Sequence, residues 1–349
     1  MKTQLKLTAL ALLLATVTPQ LSTAFAQGAL TPPGAPAATM KSLDQIEART
    51  PISSAPFTIT QSGSYYLTTN LTVTTGDGID ISTNGVTLDL NGYTISSTAA
   101  SATGTGILLN SGLSSSGLSD ITICNGHIRG GVANNGSGVY GGNGFGSGII
   151  YSGNPPVNVL VSRVSVAGCQ YCGIYLDIDD STVVESCTVL TVGSDGIYAS
   201  TIKQSTAIDC GSSAIYGVLV SDCRGQSSSS GDGVYASTVQ NCYGSSSSGD
   251  GVYAYNTALN CNGYSSSGYG VIASTAQNCN GSSSSSDGIN ATIAQNCNGS
   301  SSGSNYGIYV SYIANGCYGY SNSGTGLDAF IANSCSGNSL SITHNLNCY

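Results

Sequence analysis

From residue 57 onward, short apolar–polar alternations recur along the chain, separated by Gly, Ser and Asn. "GDGVYASTVQNC" (231–242) returns as "GDGVYAYNTALNC" (249–261), "GYGVIASTAQNC" (268–279) and "SDGINATIAQNC" (286–297). The late copies are anchored on Gly233, Gly251, Gly270, Gly288, Gly307 and Gly326, 18 or 19 residues apart. Gly78, Gly106, Gly148, Gly173 and Gly196 fit with wider spacing, and Ala214 stands in once. The next residue is Ile, Val or Leu in all twelve copies. A position that never admits a polar residue is buried, and the alternation around it has the period of a strand. No 3.6-residue stripe runs through these units, and their Gly, Ser, Asn and β-branched content disfavours helix. A strand repeated this often cannot bury its face alone. Stacked on the preceding coil, it can. The pattern predicts an all-β fold, a parallel β-solenoid of about twelve coils, on the order of 60 Å long at ~4.8 Å per coil.

A cysteine recurs on the same schedule. Cys124, Cys169, Cys187, Cys210, Cys223, Cys242, Cys261, Cys279, Cys297, Cys317, Cys335 and Cys348 are read as one coil position, with Leu90 in the first coil. Leu and Cys exchanging places indicates an internal, apolar site. The residue before it is often Asn or Asp (Asp209, Asp222, Asn241, Asn260, Asn278, Asn296), as suits a bend in the left-handed αL backbone region. Stacked rungs put side chains ~4.8 Å apart, wider than the ~3.8 Å that a disulfide's Cβ atoms favour, so a reduced, buried ladder is expected. Cys172 falls off this schedule, and a local Cys169–Cys172 bridge is the alternative for that pair.

The ends differ in kind. Residues 1–26 combine Lys2 and Lys6, a short apolar run and Ala24-Phe25-Ala26, the layout of a secretory signal peptide and too short for a membrane span. Residues 27–55 read as a Pro/Ala-rich linker with one possible short helix, and 56–349 as the folded domain. Removing the two leader lysines takes the net charge from −9 to −11, which argues against a nucleic-acid partner. No later stretch is apolar enough to span a bilayer, so a secreted or cell-surface location is expected. Charged residues make up only 7% of the chain. Any charged cluster therefore stands out.

Two segments resemble a known group. "FTITQSGSYYLTTNLTV" with "GDGIDISTNGVTLDLNGYTIS" (57–96), and "ITICNGHIRGG" (121–131), resemble the entry coils of secreted bacterial right-handed parallel β-helix repeat proteins of the pectate-lyase-like superfold. The resemblance implies right-handed coils of three short strands, with an asparagine ladder at one bend. It also implies that long loops build a substrate cleft, and that a lyase of this kind uses acidic groups, often holding Ca²⁺, and a cation that takes a proton.

Two sets of residues are candidates for function. "IYLDIDDSTVVE" (174–185) carries the acidic cluster Asp177, Asp179, Asp180 and Glu185. Aligning the coils on Cys187 and Cys210 sets Asp180 level with Lys203, with Arg163 one coil earlier. That alignment gives a basic–acidic–basic column: Asp177, Asp179 and Asp180 as acids or calcium ligands, Arg163 and Lys203 as cations. A surface salt-bridge network is the plainer reading of the same residues. Second, Tyr175, Tyr198, Tyr216, Tyr235, Tyr253 and Tyr309 share an outward position and predict an aromatic stripe for stacking on sugars. Strand-stabilising contacts alone would also account for it. The triplets at Asp195, Asp232, Asp250 and Asp287 recur once per coil and read as turns. His127 and His344 make no metal pair. The serine runs read as flexible spacers. The leading expectation is a binding or structural rod directed at extracellular glycans. The alternative is a polysaccharide lyase or hydrolase acting on an acidic polymer.

Overall fold

The computed structural model describes residues 48–112, 116–178 and 181–349. The chain divides into two compact units, Met1–Ala48 and Arg49–Tyr349. The segment read as a signal peptide, most of the one read as linker and the short helix expected there lie outside the described residues. Among those described, no helix is long and apolar enough to cross a membrane.

The second unit is a right-handed parallel β-helix. Its strands form one 31-stranded sheet wound into three columns. The first column starts at Phe57–Ile59 and Ile79–Ile81, and continues through Ile197–Lys203 and Val252–Leu259 to Leu340–Leu346. The second starts at Thr50–Ile52 and Gly63–Leu67. The third runs from Leu71–Val73 to Ser336–Gly337. There are about 15 turns rather than twelve. The extra coils lack the glycine anchor: Pro56 precedes Phe57, and Ser339 precedes Leu340, yet Phe57 pairs with Ile79 and Leu340 with Leu327. Thr50–Ile52 also lies inside the segment read as linker, so the solenoid starts before residue 56.

The coils narrow along the chain. Early coils keep the first two columns as separate strands, around a core of Ile, Leu, Val and the fully buried Phe145. From Ile197–Lys203 onward one strand of seven or eight residues serves both columns. The core there is built of Ala, Cys and one or two of Val, Ile or Leu per coil. Glycine permits the pinch: a Cβ on Gly244 would lie 1.9 Å from the Gly251 carbonyl oxygen. Serine closes the corner. Ser265 is fully buried, donates to the Gly249 carbonyl at 2.6 Å and accepts from the Gly268 N–H at 2.8 Å. Ser246, Ser283 and Ser321 do the same, and Ser301 donates to the Ser286 carbonyl at 2.8 Å. The serine runs are therefore structured in part, because a hydroxyl both donates and accepts at a bend that would otherwise strand backbone groups.

All thirteen cysteines are free, and eleven are buried. One ladder runs through Cys187, Cys223, Cys242, Cys261, Cys279, Cys297, Cys317, Cys335 and Cys348. Its thiols accept from the neighbouring coil, as in Cys223 N–H to Cys242 Sγ at 3.4 Å, and donate to carbonyls, as in Cys261 Sγ to Val239 O at 3.4 Å. Cys124, Cys169 and Cys210 are not on it. Cys169 pairs with Val192, and Val192 with Cys210, in the third column. The ladder place in that coil belongs to Ser205, which accepts from Cys187 N–H at 3.1 Å and donates its N–H to Cys223 Sγ at 3.5 Å. Serine is nearly isosteric with cysteine, and taking the next Cys as the rung puts Asp209 and Cys210 out of register. The bend before the ladder is αL, with φ of 54, 53, 53 and 51° at Asn241, Asn260, Asn278 and Asn296. Their amides chain along the surface, Asn260 Nδ2 to Asn241 Oδ1 at 3.1 Å and Asn278 Nδ2 to Asn260 Oδ1 at 3.2 Å.

Candidate functional site

The outward residues of the first column carry the most organised surface feature. Tyr175, Tyr198, Tyr216, Tyr235 and Tyr253 are directly paired from coil to coil. Their rings stack with centroids 4.4, 4.8, 4.4 and 4.7 Å apart. Tyr151 adds a sixth ring at 6.0 Å, although Ile150 is the residue opposite Tyr175. Tyr309 is not in the stack, because Ile272 and Asn290 fill the two rungs between it and Tyr253. It lies beside Tyr306 instead, with centroids 5.4 Å apart.

This spacing changes what the stripe can bind. Each ring inside the stack has both faces covered by tyrosine, leaving only its edge and hydroxyl to solvent. Burial, then neighbouring charges and phenols, raises the pKa of Tyr175, Tyr235 and Tyr253, so these three hydroxyls stay neutral. An accessible face exists only where the stack ends. Beyond Tyr253 the shorter Ile272 and Asn290 leave a trough of about 230 Å³. Tyr253, Tyr255, Ser274, Thr292 and Ser311 also line it. Tyr255 is 64% exposed. The trough carries no charged side chain among its lining residues.

The charged candidates do not assemble as the sequence alignment placed them. Lys203 is level with Glu185 and pairs with it at 3.5 Å, since Ser205 and not Cys210 is its coil's ladder residue. Arg163 lies at the αL bend, φ 55°, and donates from Nε to Asn125 Oδ1 at 2.7 Å. Asp177 accepts from Tyr151 Oη at 2.6 Å and from Ile178 N–H at 2.6 Å. Asp179 and Asp180 lie outside the described residues. Among the described residues no group of three His, Cys, Asp or Glu is placed to hold a metal ion.

The turn aspartates are structural. Asp232 accepts from the Asp250 N–H and Asp250 from the Tyr269 N–H, each at 2.7 Å, so each carboxylate caps the next coil. Burial raises Asp195, Asp250 and Asp287, and pushes Asp232 up to about 6. Asp209 moves the other way. Burial opposes its charge, but hydrogen bonds from Asn134, Tyr140 and Ser228 win and lower its pKa. Through Asp209 the hairpin Gly131–Asn134/Tyr140–Asn143 is pinned to the coils.

No family model and no curated protein matches the chain. Among solved structures it is similar to the enzymatically active domain of bacteriophage CBA120 tailspike protein 2 (15% identity, TM-score 0.29, 80% of this chain and 38% of that one). It is similar to the Dettilon tailspike protein (13%, 0.37, 84% and 61%). It is also similar to the A-module of an Azotobacter vinelandii mannuronan C-5 epimerase (13%, 0.35, 82% and 88%). The chain thus spans less than two thirds of each tailspike chain. At this identity the likeness is one of fold and does not bear on what these residues do.

Proposed function

We propose that this protein is an extracellular glycan-binding rod whose binding site is the trough at the end of the tyrosine stack. One observation carries the reading: the stack stops at Tyr253 in front of a neutral, hydroxyl- and amide-rimmed recess. A sugar ring presents an apolar face and a polar rim. The open half of the Tyr253 ring meets the first, and Asn290, Ser274 and Thr292 meet the second. Binding is favoured over turnover because the described acidic candidates are already engaged: Glu185 by Lys203, and Asp177 by Tyr151.

The test measures both properties in one panel. Neutral and acidic oligosaccharides are titrated calorimetrically into the protein, with and without Ca²⁺. Ultraviolet absorbance reports any unsaturated uronate formed by a lyase, and a reducing-sugar assay reports hydrolysis. The expected result is saturable binding without product, weakened at least tenfold, or about 1.4 kcal/mol, by Tyr253→Ala. Calcium-dependent product formation would replace this reading with the lyase.

A further inference from the structure

A second recess, of about 380 Å³, lies at the bend between the second and third columns in the N-terminal half. Asn125, His127, Arg163, Ser165, Ser186 and Thr188 line it. His127 is an outward residue of the third column, between Thr94 and Ser165. Its Nδ1 is buried with no hydrogen-bond partner, an unusual state for an imidazole nitrogen. Arg163 is the second anomaly. Other coils fill this αL bend with Asn125, Ser186, Gln204, Asp222, Asn241 or Asn260. A long cationic side chain has no backbone reason to be there, and a local choice that departs from the structural optimum points to function.

The charge balance points the same way. The nearby acids are already neutralised: Asp89 by Arg49 at 3.0 Å, and Glu185 by Lys203 at 3.5 Å. Among the described residues no carboxylate pairs with Arg163. In a chain of net charge −9, this groove therefore holds an uncompensated guanidinium beside hydroxyls and an imidazole.

We infer that this groove is an oxyanion site, which takes a carboxylate or a sulfate or phosphate group. With Nε held by Asn125 Oδ1, the two Nη groups of Arg163 grip the oxyanion as a planar fork, and the hydroxyls of Ser165, Ser186 and Thr188 supply the neutral donors. The site is built on a different edge of the coil from the trough. It stands whether or not the trough binds sugar.

The protein has only two histidines, so their ring resonances report the site with an internal control. At fixed pH and ionic strength, inorganic sulfate, inorganic phosphate and a free uronic acid are titrated separately. The expected result is a saturable shift of the His127 resonance with His344 unmoved. The ranking of the three probes then shows which oxyanion fits. Arg163→Asn continues the asparagine chain of the surface, so it should melt at or above the wild-type temperature while losing the saturable shift. Arg163→Lys should bind several-fold more weakly than wild type. Parallel, non-saturating shifts at both histidines would overturn the inference. So would a saturable shift that survives Arg163→Asn. A lower melting temperature for Arg163→Asn would make Arg163 a structural cap and also overturn it.

Discussion

At the scale of single residues, the molecule is governed by what fits inside a narrow coil. A methyl group at Gly251 would sit 2.4 Å from the Tyr264 nitrogen and 2.6 Å from the Gly270 oxygen. Backbone on both sides cannot yield, so Gly251→Ala should cost about 1–3 kcal/mol in a urea melt. Three of the cysteines have raised pKa values for a related reason. Burial pushes Cys187 and Cys172 up to about 11 and Cys169 up to about 12, which holds them as thiols at neutral pH. Access decides labelling: a thiol reagent should reach only the part-exposed Cys172 and Cys348 in the native protein, Cys172 slowly because of its raised pKa, and all thirteen after unfolding. Asp232 makes stability depend on pH. Its folded pKa of about 6 exceeds the ordinary 3.8, so the folded state binds that proton more tightly. Its contribution is fully present below the unfolded value, declines as pH rises between the two values, and is lost above about 6. Asp232→Asn should keep the cap on the Asp250 N–H and gain stability over wild type above that interval. Melting curves of both proteins on either side of it would check this.

At the scale of elements, the tyrosine stack and the narrowing strands are one design. Where a single strand serves two columns, the core shrinks to Ala, Cys and one or two branched aliphatics, and contributes less apolar area per coil than the early coils do. The outward rings offset part of that loss, at about 0.5–1.5 kcal/mol per stacked pair. Tyr216 belongs to two such pairs, so Tyr216→Ala should lower stability by about 1–3 kcal/mol. Tyr216→Phe, which keeps the ring, should change it little. If Tyr216→Phe instead removed saccharide binding, the hydroxyl edge and not the end face would be the recognition surface.

At the scale of the whole solenoid, each coil is a template for the next, and stability is a sum of nearest-neighbour terms. Leu340–Leu346 pairs on one side only, with Leu327–Asn333, and Leu346 is 52% exposed. Its amides should exchange with deuterium well before those of Val252–Leu259, which pair on both sides. Much of this architecture was readable from the chain, because a buried aliphatic rung repeated every 18 or 19 residues has few other solutions. The αL asparagines and the five successive tyrosines from Tyr175 to Tyr253 were equally legible. Coils without a glycine anchor were not, and Ser205 in a cysteine's place hid the register that pairs Lys203 with Glu185. The trough was illegible for a different reason: it is formed by side chains that are missing from a stack. That is also its most direct test. Ile272→Tyr should extend the stack, raise the melting temperature and abolish saccharide binding, a gain and a loss from one substitution. An Ile272→Tyr protein that is more stable and still binds with wild-type affinity would contradict the account.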